Sequence, residues 1–477
     1  MTKLDRQHRL ATKFVMVGTA VLVALWLSLS AVFILPDERP AGMDVAAPQR
    51  CVGLFLVCVT LWFTNLIPPA ATGLLAIALL PALNILDERE AFGLFGNSAV
   101  FFMLGVFLLA GATIVTGLSK RVTLLALQRF DRSPDRLVLG VTVSTAFLSL
   151  WMPEHAVAAM IFPILVEIVN TLELQRGANY AKKLFLGLAW GASIGGVGTF
   201  LGGARAPLAL SMLHDRHPGT TVSFLGWLIA SSPIVVIMTA VAVLALRWHI
   251  ANDIDDVRAA TRMLDGRVKR LGRMSSAERR LAALTLATIG AWIVLGETVG
   301  LAVIAILSAA LLFAMRIVEW RAVQEYVNWG VLVMYGGAIA LGHALSETQA
   351  MAWLVHQIID PTAPKVLALF VVIAGAMMLT EFISNSAAVA ILLPIGYSLG
   401  QVVGIDPVTM TLAVTIPAGL TFLFPVASPP NAISFAAGHY SVREAVQLGW
   451  PMMVAGYVTI LVVVLVWWGV VLGMSVW

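Results

Sequence analysis

The chain has 477 residues, 60% of them hydrophobic and only 12% charged, with a mean hydropathy of +0.92. Such a composition excludes a soluble globular domain and describes a protein whose solvent is lipid. The net charge of +4 is not the footprint of an acidic partner such as nucleic acid, because Lys and Arg gather in a few short segments, as cytoplasmic loops require.

From the N-terminus, the basic residues Lys3, Arg6, Arg9 and Lys13 precede an apolar run near 14–35. That run exceeds a secretory h-region and has no convincing small-residue cleavage site before Pro36, so it reads as a retained helix. Runs near 51–64, 66–86 and 98–118 are long enough, or nearly so, to cross about 30 Å of hydrocarbon. Cys51 and Cys58 are about two helical turns apart in one of them, too distant to bond to each other. After Lys120, Arg121, Arg129, Arg132 and Arg136 comes an interrupted apolar segment, LSLWMPEHAVAAMIFPI (148–164), and then a second, GGVGTFLGGARAPLAL (195–210).

A run near 222–246 leads to the longest polar stretch, Arg247 to Arg280, which divides the chain into two hydrophobic halves of similar size. The second half repeats the order. Runs near 281–296 and 298–315 precede LTEFISNSAAVAILLPI (379–395) and LFPVASPPNAISFAAG (423–438), and a run near 452–475 ends the chain. The C-terminal GMSVW carries no charged side chain. Basic loops inside and a neutral C-terminus outside predict a multi-pass inner-membrane protein with N-in, C-out topology and an odd number of spans, about eleven.

The interrupted segments match in pairs. An aromatic residue (Trp151, Phe382) is followed by a polar break, small apolar residues and Pro-Ile, and Pro153 stands as far before Pro163 as Ser384 stands before Pro394. Paired breaks in both halves indicate two inverted repeats, with a binding site built from discontinuous helices at mid-membrane. Unwinding frees backbone N–H and C=O groups that lipid cannot satisfy, so each break must face protein, ions or a water-filled cavity. Helix N-termini then aim positive dipole ends at an anion, while freed carbonyls and hydroxyls suit a hard cation.

At these residues the chain resembles the divalent anion/sodium symporter family, which carries dicarboxylates, tricarboxylates and sulfate. The resemblance runs nearly the whole length, through WFTNLIPPAATGLLAIALLPAL (62–83), FGNSAVFFMLGVFLLAGA (95–112), MSSAERRLAALTL (274–286), NWGVLVMYGGAIALG (328–342), TEFISNSAAVAILLPI and PVASPPNAI. It implies an all-α elevator carrier, usually a homodimer in membrane lipid, with no cofactor besides sodium. A transport domain would then slide along a dimerising scaffold. The segments divide as follows: 1–13, cytoplasmic N-terminus; 14–118 and 281–346, scaffold; 119–250 and 347–477, transport; 251–280, cytoplasmic linker.

The family's signature is a Ser-Asn-Thr triplet at each hairpin tip, paired with a Pro-Pro-Asn-like unwound stretch. In the second repeat Ser384-Asn385-Ser386 stands for the triplet. Carried over, Thr380, Ser384, Asn385, Ala427 and Pro429 would hold a sodium ion, Asn385 and Ser386 would touch a substrate carboxylate, and Pro430 and Asn431 would complete the unwound stretch and join the substrate-binding set.

The first repeat departs from the pattern. Ser149 is kept, but Pro153-Glu154-His155 replaces the triplet and Gly202-Gly203-Ala204-Arg205-Ala206 replaces the unwound motif. Ser149, Glu154, His155, Gly202 and Arg205 are thus candidates for coupling, and His155 and Arg205 for binding substrate. Charged groups at membrane depth are costly and mark function by default. Three readings compete. Arg205 acts as a built-in cation in place of sodium, neutralised by Glu154 or presented to the substrate. Alternatively, Glu154 or His155 takes up and releases a proton, giving a proton-coupled or sodium-independent exchanger. In the third, Glu154 and Arg205 form a structural pair in a degenerate site. Cation coupling is then expected to be asymmetric and reduced, with one sodium in the second-repeat site and protein charge in the first, so that altering Glu154 leaves sodium affinity largely intact.

Other ionisable residues are weaker signals: Glu297 at the end of a span, Glu381 beside the second break where it could orient the tip, and His214, His217 and His249 near loops. His343, His356 and His439 lack the spacing of metal ligands. Other classes are a transport-dead sensor, a channel or an intramembrane enzyme. Glu154-His155 is only superficially like the zinc-protease HExxH, since the first His is missing.

Overall fold

The computed structural model describes residues 3–29, 44, 46–130, 133–351, 364–474 and 476. Arg132, His356 and the region just before Pro36 lie outside them. The described residues form helices and no strand, as an all-α membrane protein requires where lipid offers the backbone no partner.

The first half contains α1 (Lys3–Leu29), α2 (Ala47–Thr64), α3 (Pro69–Ala82), α4 (Glu88–Gly93), α5 (Ser98–Val115) and α6 (Leu118–Gln128). It continues with α7 (Pro134–Ser149), α8 (Glu154–Thr171), α9 (Asn179–Gly196), α10 (Arg205–Arg216) and α11 (Phe224–His249). The polar stretch carries α12 (Arg258–Leu271), which packs against α6 and α8. The second half contains α13 (Ser276–Val299), α14 (Leu301–Ala314), α15 (Trp320–Val323), α16 (Trp329–Glu347), α17 (Lys365–Thr380), α18 (Asn385–Val403), α19 (Pro407–Thr415), α20 (Pro429–Ala436) and α21 (Val442–Val462). Eight of the described helices, some counted with a continuing turn, are long and apolar enough to cross a membrane.

From α2 and from α13 onward the helices of the two halves follow the same order and interlock, although α1 and α6 have no counterpart among the described residues. α3 packs along α16, and the equivalent pair α14 and α5 packs likewise. In both pairs the backbones nearly touch. A Cβ on Gly337 would fall 2.3 Å from the Gly73 Cα, and one on Gly105 would fall 2.8 Å from the Ala305 carbonyl carbon. Close approach through small residues drives helix association where lipid competes with every apolar contact. The N-caps repeat as well: Asn97 accepts from the Ala99 N–H and Asn328 from the Val331 N–H.

Each half then folds into a helical hairpin followed by a broken helix. α7 and α8 turn at Leu150–Pro153, α17 and α18 at Glu381–Ser384. α7 begins and α8 ends at the face formed by the polar stretch, because Asp135 accepts from Asn252 at 2.9 Å and Glu167 pairs with Arg267. A hairpin that enters and leaves on one face is re-entrant in shape. The broken pairs are α9 and α10, separated by residues 197–204, and α19 with its following turn and α20, separated by 420–428. Packing across the repeats is crosswise: α8 lies on α20, and α18 on α10.

Candidate functional site

Both hairpin tips are built by local signals. Pro153 fixes an extended backbone before α8, and the Ser384 hydroxyl caps α18 by accepting from the Ala387 N–H at 3.3 Å. Glu154 is thus the first residue of α8, where the helix dipole favours a carboxylate. Its own N–H donates to the Gly202 carbonyl at 2.8 Å, pinning the tip to the first unwound stretch.

Arg205 opens α10, a helix end that disfavours a cation, so it needs an anion beside it. Arg205 Nη1 donates to Glu154 Oε2 at 3.2 Å, with side chains 2% and 7% exposed. A pair this buried must be held in good geometry to offset its desolvation. Glycines supply the room: a Cβ on Gly203 would lie 2.3 Å from Nη1, and one on Gly419 2.3 Å from Nε. Arg205 Nη2 has no hydrogen-bond partner among the described residues, and neither has the buried Ser149 hydroxyl. The guanidinium is wedged against the Gly203 and Gly419 backbones where the resemblance would place a sodium ion, and a charged pair stands in place of the neutral hydroxyl and amide oxygens of the family's triplet.

The other carboxylate oxygen reaches the second repeat. Asn385 Nδ2 donates to Glu154 Oε1 at 3.2 Å. The Asn385 Oδ1 lies 2.9 Å from the Thr380 hydroxyl, which donates to the Ala418 carbonyl at 2.7 Å. Sequence alone treats the two sites as separable, whereas the structure joins them. Three neutral oxygens, from Thr380, Asn385 and Ala418, meet there, a donor set whose chemistry suits a hard cation.

His155 is brought elsewhere. Adjacent helical residues do not share a face, and His155 lines a cleft of about 770 Å³ with Ala159, Lys120, Tyr326 and Trp329, its ring edge-on to Phe107 at 6.0 Å. It makes no hydrogen bond to Glu154 or Arg205. Ser386 lies beside Tyr335 of α16, whose buried hydroxyl has no hydrogen-bond partner among the described residues. Asn431 donates to the Thr421 and Phe424 carbonyls, at 3.4 and 3.3 Å, and so holds the unwound strand rather than the tip. Ala427 is buried in that strand, its N–H donating to Phe424, and Pro429 and Pro430 start α20.

Glu381 is the strongest anchor of the second tip. Its carboxylate accepts the Phe422 N–H at 2.7 Å and those of Leu423 and Phe424 at 3.1 Å. Sequence reading missed Ala418, Tyr335, and the hydroxyl chain of Ser193, Thr421 and Ser428. Only the Pro417–Gly419 turn signals Ala418 beforehand. Gly191-Ala192-Ser193-Ile194-Gly195 has the spacing of a nucleophile elbow, yet Ser193 lies inside α9 against Thr421, away from any strand-to-helix turn. Of the remaining histidines, His343 contacts Glu90 at 3.0 Å, His439 stacks on Phe185, and His217 packs edge-on to Tyr397.

Interlocked repeats with paired broken helices define a polytopic membrane transporter. The family model for the sodium:sulfate symporter transmembrane region matches residues 17–474. The chain belongs to that family, whose members move small anions such as dicarboxylate or sulfate. The sodium-dependent dicarboxylate transporter SdcS of Staphylococcus aureus strain bovine RF122 / ET3-1 is 30% identical over 475 residues, covering 93% of this chain and 89% of the relative. SdcS of strain USA300 gives the same identity and coverage. The Alcanivorax borkumensis YdaH transporter shares the fold at a TM-score of 0.53 and 20% identity, over 87% of this chain and 98% of its own. Neisseria gonorrhoeae MtrF, described as illuminating a class of antimetabolite efflux pumps, does so at 0.57 and 12%, over 96% and 94%.

Proposed function

We propose that this protein is an elevator-type secondary transporter of a small dicarboxylate, tricarboxylate, sulfate or related oxyanion, coupled to sodium through the second repeat alone. The observation that carries this reading is the buried Glu154–Arg205 pair in the first-repeat site. Its guanidinium stands where an ion would otherwise bind, balanced by the Glu154 carboxylate, and leaves Nη2 free to donate to an anion. In the second repeat, Thr380, Ser384, Asn385, Ala427 and Pro429 hold the ion, with the Ala418 carbonyl added to the set. Sodium, when bound there, supplies positive charge beside the substrate and links uptake to the ion gradient.

The substrate anion meets Arg205 Nη2, a buried guanidinium nitrogen with no other acceptor, together with Asn385 and Ser386. Tyr335, on the scaffold side, closes over it. His155 lines the route into the cleft rather than the charge pair. The protein sits in the cytoplasmic membrane as a homodimer, with its N-terminus and the basic 251–280 segment inside and its C-terminus outside. Each coupled sodium moved inward contributes about 2.3 kcal/mol per 100 mV, so losing one site lowers the driving force and the transported charge.

The test is uptake into sealed proteoliposomes across a panel of carboxylates and oxyanions, with sodium concentration, membrane potential and pH varied separately. The expected result is sodium-dependent uptake with a Hill coefficient near one. Cooperative use of two or more sodium ions would refute single-site coupling. Uptake driven by a pH gradient without sodium would favour the proton-coupled reading instead.

A further inference from the structure

We infer that Glu154 is a positioning residue for the second-repeat cation site: its carboxylate fixes the rotation of the Asn385 amide so that Oδ1, not Nδ2, faces Thr380. This rests on the sodium reading above and adds a reason for the acidic residue in the first hairpin tip.

A carboxylate facing Arg205 only accepts hydrogen bonds, so whichever end of the Asn385 amide meets it must be the NH₂. Glu154 Oε1 takes that bond at 3.2 Å while Oε2 takes Arg205 Nη1 at 3.2 Å. Arg205 is wedged against the Gly203 and Gly419 backbones and donates only, so it fixes the carboxylate in turn. The Asn385 carbonyl oxygen is thereby left 2.9 Å from the Thr380 hydroxyl, on the side of the Ala418 carbonyl. An inverted amide would place NH₂ hydrogens among the cation's ligands. The first-repeat charge pair therefore does more than replace an ion. It presets a ligand 231 positions away in the sequence, and the two repeats become one site.

The chemistry separates this from plain loss of an ion pair. In Glu154→Gln the new amide turns its oxygen to Arg205 and its NH₂ to Asn385, which inverts Asn385 and withdraws Oδ1 from the cation. In Glu154→Gln/Arg205→Met no cation competes, so the Gln oxygen can again accept from Asn385. In Glu154→Leu/Arg205→Met no acceptor remains. The last two variants both lack the ion pair and differ only in that acceptor.

The experiment is titration of purified, detergent-solubilised full-length protein with sodium chloride against choline chloride, without substrate, reading thermal stability and tryptophan fluorescence. Half-saturation for Glu154→Gln and for Glu154→Leu/Arg205→Met should rise by about tenfold or more, the size expected for one charge-assisted hydrogen bond. Glu154→Gln/Arg205→Met should stay within about threefold of wild type. If Glu154→Gln does not fold, the two double variants decide between themselves. Equal sodium affinity across the variants, with wild type saturable, overturns the positioning role and leaves single-site coupling intact. A wild-type protein with no saturable sodium response overturns both.

Discussion

In the chain formed by Glu154, Arg205 and Asn385, the carboxylate only accepts and the guanidinium only donates, so the Asn385 amide, which does both, is the member whose orientation the other two decide. Asn385 is the member that bridges the repeats, since it turns a neutral carbonyl toward Thr380 and an NH₂ toward Glu154. Asn385→Ala is expected to abolish sodium stimulation of uptake, measured as initial rate against sodium concentration. Glu381 acts on the backbone instead, since three consecutive N–H groups of the second unwound stretch converge on its carboxylate. A Gln there turns an NH₂ toward donors, so Glu381→Gln should destabilise the fold by about 1–3 kcal/mol. A lower melting temperature in sodium-free buffer checks this, and an unchanged one refutes the anchoring role.

Among the elements, α3 with α16 and α14 with α5 are the seams that lock the halves together. Their backbones approach so closely at Gly73, Gly337 and Gly105 that a side chain must push the helices apart. Gly337→Val is expected to cost about 1–3 kcal/mol or more and to reduce monodisperse protein on size exclusion. Gly375, whose Cβ would meet nothing within 4 Å, is the control: Gly375→Val should leave the profile unchanged. The hairpins depend on other signals. Pro153 and Ser384 restart α8 and α18 at fixed points, and α8 and α18 then dock on the broken helices of the opposite repeat. That exchange brings Glu154 within hydrogen-bond reach of Asn385.

For the molecule as a whole, an inverted arrangement of the repeats predicts that its two largest described clefts open to opposite sides of the membrane. One is lined by His155, Ala159 and Lys120, the other by Tyr397, Gln401 and Arg216. Both native cysteines, Cys51 and Cys58, are buried and free, so single introduced cysteines can report the faces. Ala159→Cys should react with a membrane-impermeant maleimide from the cytoplasmic side and Gln401→Cys from the other. Labelling of both from one side would sink the inverted arrangement.

The amino-acid sequence by itself determined the solvent, the two-repeat plan and the four breaks. Each of these is written locally: in the length of apolar runs, in Pro and Ser at helix starts, and in Gly and Pro where a helix must open. It also supplied the candidate residues at both tips. Which of them meet was decided only by tertiary structure. Arg205 finds Glu154 51 positions away, and Asn385 finds it 231 positions away, because hairpins of one repeat pack on broken helices of the other. No local pattern encodes such a crossing. For the same reason His155, next to Glu154 in sequence, faces a cleft instead: a helix turns about 100° per residue, so neighbours in the chain part company in space.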